Sequence, residues 1–301
     1  MAEVNQTSQT LVSRPADVPG LLPLPLSLLA IGGLLAVCFG PVLYRLAQLW
    51  TSDENMSHGF FVPLVAGYIA WQKRDQLGPD RWQRNYLGLI PVLIGAVMLC
   101  VGPPSIPTFV TMGRVAFLFS LAGCILFLGG IGVLRTLAYP LAMLPLMIPF
   151  PFYDMITLPL QLMASVLSEQ TLSLLGVSVL REGNVLFLST QTLSVAEACS
   201  GLRSLYSLVF LTLAYAYLFA DRRWVRWALV ASIVPIAIAA NSLRVTATAL
   251  LGAIDAQYTH GIYHDMLGWS VFVIAFGLLC LWHLALVRMG KRTVTRKAAT
   301  A

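Results

Sequence analysis

The sequence predicts an all-α polytopic membrane protein with about eight transmembrane helices, and three observations carry that prediction. Apolar runs of about twenty residues, each long enough to cross a bilayer, recur from Leu21 to Val287. Hydrophobic residues make up 58% of the chain and charged ones only 11%, against about 25% charged in an ordinary soluble domain. The basic residues lie in short clusters between apolar runs, as positive-inside topology requires. That clustering accounts for the formal charge of +6 without a polyanion, so the expected surroundings are a lipid bilayer and no nucleic acid.

Residues 1–20 are polar and carry one arginine, which makes them a cytoplasmic N-terminal segment rather than a cleavable signal. Span one runs from Leu21 to Leu43, and a polar loop with Trp50, Asp53, Glu54 and Ser57-His58-Gly59 follows. Span two, from Phe60 to Trp71, is short, which suggests that part of the preceding loop is embedded as well. Lys73, Arg74, Arg81 and Arg84 fill the next loop. Span three covers Tyr86–Val101 and ends at the breaker Gly102-Pro103-Pro104. Span four, Val115–Leu134, stops at Arg135, and span five, Thr136–Phe150, is kinked by its three prolines.

Residues 151–198 hold no clear span. Met155–Leu175 reads as a short amphipathic helix, its polar Gln161, Ser165, Glu169 and Ser173 spaced four apart. Val177–Leu180 and Val185–Leu188 read as a β-hairpin-like pair around Arg181-Glu182-Gly183-Asn184. Span six is Ser200–Ala220, span seven Trp227–Leu251 and span eight Leu267–Val287. The transmembrane domain is thus 21–288, followed by a basic tail, 289–301. With both ends in the cytoplasm, fourteen of the nineteen basic residues lie inside. The amphipathic helix, the hairpin and the connection before span eight then face the outer side.

Three residues converge at that outer side. Cys199, in Glu197-Ala198-Cys199-Ser200-Gly201-Leu202-Arg203, stands at the mouth of span six. A cysteine at a helix start, with an arginine one turn on, is in a setting that favours the thiolate. Arg244 lies about seven residues inside the outer end of span seven, roughly 10 Å deep at helical rise. An ionisable residue inside a span marks a functional site, although a snorkelling arginine is the plainer use. His264 lies in the loop before span eight, and His58, also outside, is the weaker imidazole. Arg203 can pair with Glu197 as a structural bridge. His260 and His264 have metal-like spacing, but Gly261 stands where a metalloprotease helix needs glutamate, so no metal and no cofactor are expected. A thiol, an imidazole and a guanidinium together make an acyl-transfer site.

The ordered blocks Ala198–Leu205, Ala240-Asn241-Ser242-Leu243-Arg244-Val245 and His264-Asp265-Met266-Leu267-Gly268-Trp269 resemble the signature blocks of the exosortase/archaeosortase family. Ser57–Leu64 and Leu180–Asn184 are similar too, so the resemblance covers about 25–288. It implies a thiol protease or transpeptidase with Cys199 as nucleophile, Arg244 as transition-state stabiliser and His264 as acid–base. Arg203, Glu197, Asn241, Asp265 and His58 would support them or bind substrate. The implied partners are membrane-anchored proteins with a C-terminal sorting signal: a Pro-Glu-Pro (PEP-CTERM) motif, a transmembrane helix and a basic cluster. The implied setting is the periplasmic face of the inner membrane of Gram-negative bacteria, beside exopolysaccharide genes. The block after His264 departs from the family's Glu-Phe-Ser-Gly-Trp, with Asp265 keeping the charge. A transporter or lipid-carrier protein binding an anion through Arg203 and Arg244 is the alternative from another class.

Overall fold

A computed structural model describes residues 23–101, 107–149, 153–195, 202–259 and 261–299. The protein is mostly helical, with one small sheet. Helix α1, Leu24–Ser52, begins after Pro23 and carries Pro25 in its first turn, where the missing N–H is no loss. Asp53 ends it and accepts from the Asn55 N–H at 2.9 Å, opening a 3₁₀ segment, Glu54–Phe60. Helices α2, Phe61–Gln72, and α3, Leu89–Cys100, follow.

Helix α4, Pro107–Met143, is broken at Gly130, whose φ of 67° favours glycine. A side chain there would also meet the Gln83 carbonyl. The break thus falls five residues before Arg135, where charge alone divides spans four and five. The helix continues through Arg135 and Pro140 to a 3₁₀ turn, Leu144–Met147. Glycines also let α3 approach α4 closely, since a Cβ at Gly95 would meet Ser120 and the Ala116 carbonyl.

Helix α5, Tyr153–Leu174, is amphipathic in the inverted sense. Gln161 and Ser165 are buried, whereas Met155, Leu158, Met163 and Leu174 are exposed. The small polar side chains face helix α8, Ile233–Ile254. There Ser168 Oγ donates to the Ser242 carbonyl at 3.1 Å and to its own helix at Ala164. Three antiparallel strands follow: β1, Val179–Glu182, β2, Val185–Leu188, and β3, Thr192–Ser194. The third strand was not expected from sequence, being three residues long with a single buried apolar side chain. Leu186, Leu193 and Val195 pack on Leu172 of α5 and on Val245 and Ala249 of α8.

The remaining helices are α6, Leu202–Phe219, α7, Arg223–Ala231, and α9, Gly261–Ala299. Segments Leu24–Ser52, Thr108–Met147, Arg223–Ile254 and Gly261–Gly290 are long and apolar enough to cross a membrane, and Tyr86–Cys100 and Leu205–Phe219 are shorter apolar helices. Helix α9 starts six residues before the expected span eight, so His264 stands in its first turn and not in a loop. Helix α8 runs on to Ile254, which puts Arg244 ten residues from its end, about 15 Å.

Candidate active site

Small residues set the contact between α8 and α9. Ala240 packs on Val271 and Ala275, with Ile236 and Leu267 beside them. One turn along α8 from Ala240 comes Arg244, and its guanidinium lies against Gly268 of α9. A Cβ at Gly268 would stand 3.2 Å from both the Cζ and an Nη of Arg244. Glycine therefore leaves the slot through which the arginine reaches α9. Asp265 stands three residues before Gly268 on α9 and lines the same cleft.

Arg244 opens on a cleft of about 310 Å³. Its floor and walls come from four parts of the chain: Trp50 and Thr51 at the end of α1, Glu54 and Ser57 in the 3₁₀ segment, Ser207 on α6, and Asp265 to Phe272 on α9. The cleft thus combines a guanidinium, two carboxylates and three aromatic rings. A second, much smaller void of about 20 Å³ lies behind Arg244 and is lined by Asn241 and by apolar side chains. That is room for a single water.

The indole of Trp50 is fixed from two sides. Its Nε1 donates to the Met147 carbonyl at 3.0 Å, and its ring covers Gly59, where any side chain would collide with it. His58 turns away from the cleft. It is 5% exposed, donates from Nε2 to the Leu146 carbonyl at 3.1 Å and stacks on Tyr206 at 5.7 Å between ring centroids. Burial holds its imidazole below its ordinary range, against the raising effect of the hydrogen bond to the Leu146 carbonyl. The Ser-His-Gly block therefore anchors the 3₁₀ segment Glu54–Phe60 to the 3₁₀ turn after α4, and of its three residues Ser57 lines the cleft.

Of the residues expected at the site, Arg244 and Asp265 line the cleft, Asn241 lines the void behind it, and His58 is buried outside it. Cys199 and Glu197 lie outside the described residues. Arg203 falls in the first turn of α6 and His264 in the first turn of α9. Trp50, Glu54, Ser207, Trp269 and Phe272 were not expected to be at the site. Trp269 had a signal, since it stands in the same block as His264. Among the described residues no three His, Cys, Asp or Glu side chains come together as a metal site.

These features define a class: a multi-pass helical membrane protein whose candidate site is an arginine-bearing cleft between α1, α6, α8 and α9. Within that class the chain belongs to the transmembrane exosortase family, whose model matches residues 50–281. Every residue lining the cleft, from Trp50 to Phe272, falls inside that stretch. No curated protein and no solved structure gives a significant match.

Proposed function

We propose that this exosortase is a membrane-embedded cysteine protease or transpeptidase that cuts C-terminal sorting signals from membrane-anchored proteins at the periplasmic face of the inner membrane. The observation that carries the reading is the apposition of Arg244 and Gly268 in the cleft, which sets a guanidinium one helical turn from His264 along α9. Two neighbours support it: Ser207, eight residues after Cys199, and Asp265, next to His264, both line the same cleft. In this reading the Cys199 thiolate attacks the scissile carbonyl carbon, and the carbonyl π pair moves onto oxygen. The N–H donors of Arg244 stabilise that oxyanion. His264 takes the thiol proton and delivers it to the leaving amine as the C–N bond breaks. The resulting thioester is then opened by water or by an acceptor amine, and Glu197, Arg203 and Asn241 support the constellation.

Variant chains at matched membrane accumulation, scored for cleavage of a tagged sorting-signal protein, test the reading. Cys199→Ala and Cys199→Ser should both abolish processing, whereas an anion carrier would tolerate serine. Arg244→Lys should accumulate normally and lose about a hundred- to a thousandfold in rate, because lysine lacks the planar fork of donors. Near-normal cleavage by either the serine or the lysine variant would overturn the assigned role.

A further inference from the structure

Two cavities along α1 join into one groove. The first, about 340 Å³, lies between α1, α3 and α4 and is walled almost wholly by apolar side chains, from Ile31 and Leu34 to Phe127. The second, about 270 Å³, continues it past Pro41 to Arg45. Cys38 and Leu99 line both, so the groove is continuous. From Ile31 to Arg45 it follows α1 for about 21 Å at helical rise. One leaflet of a bilayer's hydrocarbon core is about 15 Å deep, so the groove is longer than a leaflet is deep and has room for one extended acyl chain.

Its charged end is one-sided. Arg45 is exposed and lines the mouth, and none of the residues lining the groove is acidic. Apolar length with an exposed arginine at one end matches a lipid with a net negative headgroup. A zwitterionic headgroup would bring an ammonium that no carboxylate in the groove wall could meet.

We propose that the groove between α1, α3 and α4 binds one acyl chain of an anionic membrane phospholipid, with the lipid phosphate at Arg45. The site is distinct from the Arg244 cleft, though Trp50 of the cleft is only five residues further along α1. The inference does not depend on the activity proposed above.

The test is native mass spectrometry of the full chain released from nanodiscs of mixed phosphatidylglycerol and phosphatidylcholine. The wild type should keep one phosphatidylglycerol. Cys38→Trp, an exposed position where the two cavities meet, should lose the adduct about tenfold or more. Ala96→Phe fills the groove from the α3 side and should do the same, so a folding defect in one variant leaves the other to decide. Arg45→Gln should keep a lipid but lose the preference for phosphatidylglycerol. Equal adducts in all four proteins, as loosely held shell lipid would give, overturn the proposal. So does an Arg45→Gln protein with full preference, or a peptide or second copy of the chain occupying the groove instead of lipid.

Discussion

At the scale of single residues the site rests on what Gly268 lacks. Replacing glycine inside a helix by alanine stabilises it by about 1 kcal/mol, so Gly268→Ala should raise thermal stability. The new methyl would stand 3.2 Å from the Arg244 guanidinium, which must then move. A shift of about 1 Å in a reacting group can cost about a hundredfold in rate. A contact of 3.2 Å asks for only a fraction of that, so processing of a sorting-signal protein should fall by about two- to tenfold. The opposite signs of the two effects separate a positioning role from a packing one. The same change made in an Arg244→Ala chain should cost nothing further, because the group it displaces is gone; an equal loss in both backgrounds would refute the link. Arg244 was legible as a residue of the candidate cleft because burying a charge within an apolar span is costly, and function is the usual reason to bear that cost. The exposed Asp265 was reached only through the family resemblance. Trp50 and Glu54 were not legible, because they come from the end of α1 and the 3₁₀ segment after it, about 190 residues before Arg244, and nothing in their local pattern says which helices they meet.

At the scale of elements, most helices were legible from hydropathy, and the errors share a cause. Apolar runs show where a chain is buried in lipid but not where its backbone hydrogen bonds stop. Hence α4 was divided at Arg135 and not at Gly130, and α9 was begun at Leu267 and not at Gly261. The polar spacing of α5 was legible, yet that Gln161, Ser165 and Ser168 face inward follows from its packing on α8, which the spacing alone does not give. The 3₁₀ segment Glu54–Phe60 gives a testable case of coupling between elements. His58 and Trp50 donate to the successive carbonyls of Leu146 and Met147, clasping the 3₁₀ turn after α4. Burial lowers the pKa of His58 in the folded protein, so the unfolded chain takes up a proton first as pH falls. Stability should therefore be level above about pH 6.5, the unperturbed histidine value, and should decline as pH drops from there toward the folded value. His58→Phe keeps a ring on Tyr206 but leaves the Leu146 carbonyl unpaired, at a cost of about 1–3 kcal/mol. Apparent melting temperatures between pH 7.5 and 5 should show the variant less stable at neutral pH and the gap narrowing toward acid. A gap that widened toward acid would mean that His58 is charged in the folded state.

At the scale of the whole molecule, the two ends of the segment Arg223–Ile254 fix a direction across the membrane. Its start carries Arg222, Arg223 and Arg226, and Arg222 reaches across to the Gly290 carbonyl near the basic end of α9. Near its far end Gln191 donates to the Ala249 carbonyl, and β2 and β3 pack on Val245 and Ala249. The arginines and the sheet are thus at opposite ends of one membrane-length helical segment. Basic clusters stay in the cytoplasm during insertion, so the expectation to test is that the sheet, and with it the mouth of the Arg244 cleft, lies on the outer side. A reporter active only in the periplasm should work when inserted at Gly183, the turn between β1 and β2, where a φ of 62° and open space around the residue make an insertion tolerable. The same reporter fused after Ala301 should be silent, and a cytoplasmic reporter should give the reverse pattern. Activity of one reporter at both positions would put the sheet and the basic tail on the same side. The cleft would then face the cytoplasm, away from any exported substrate.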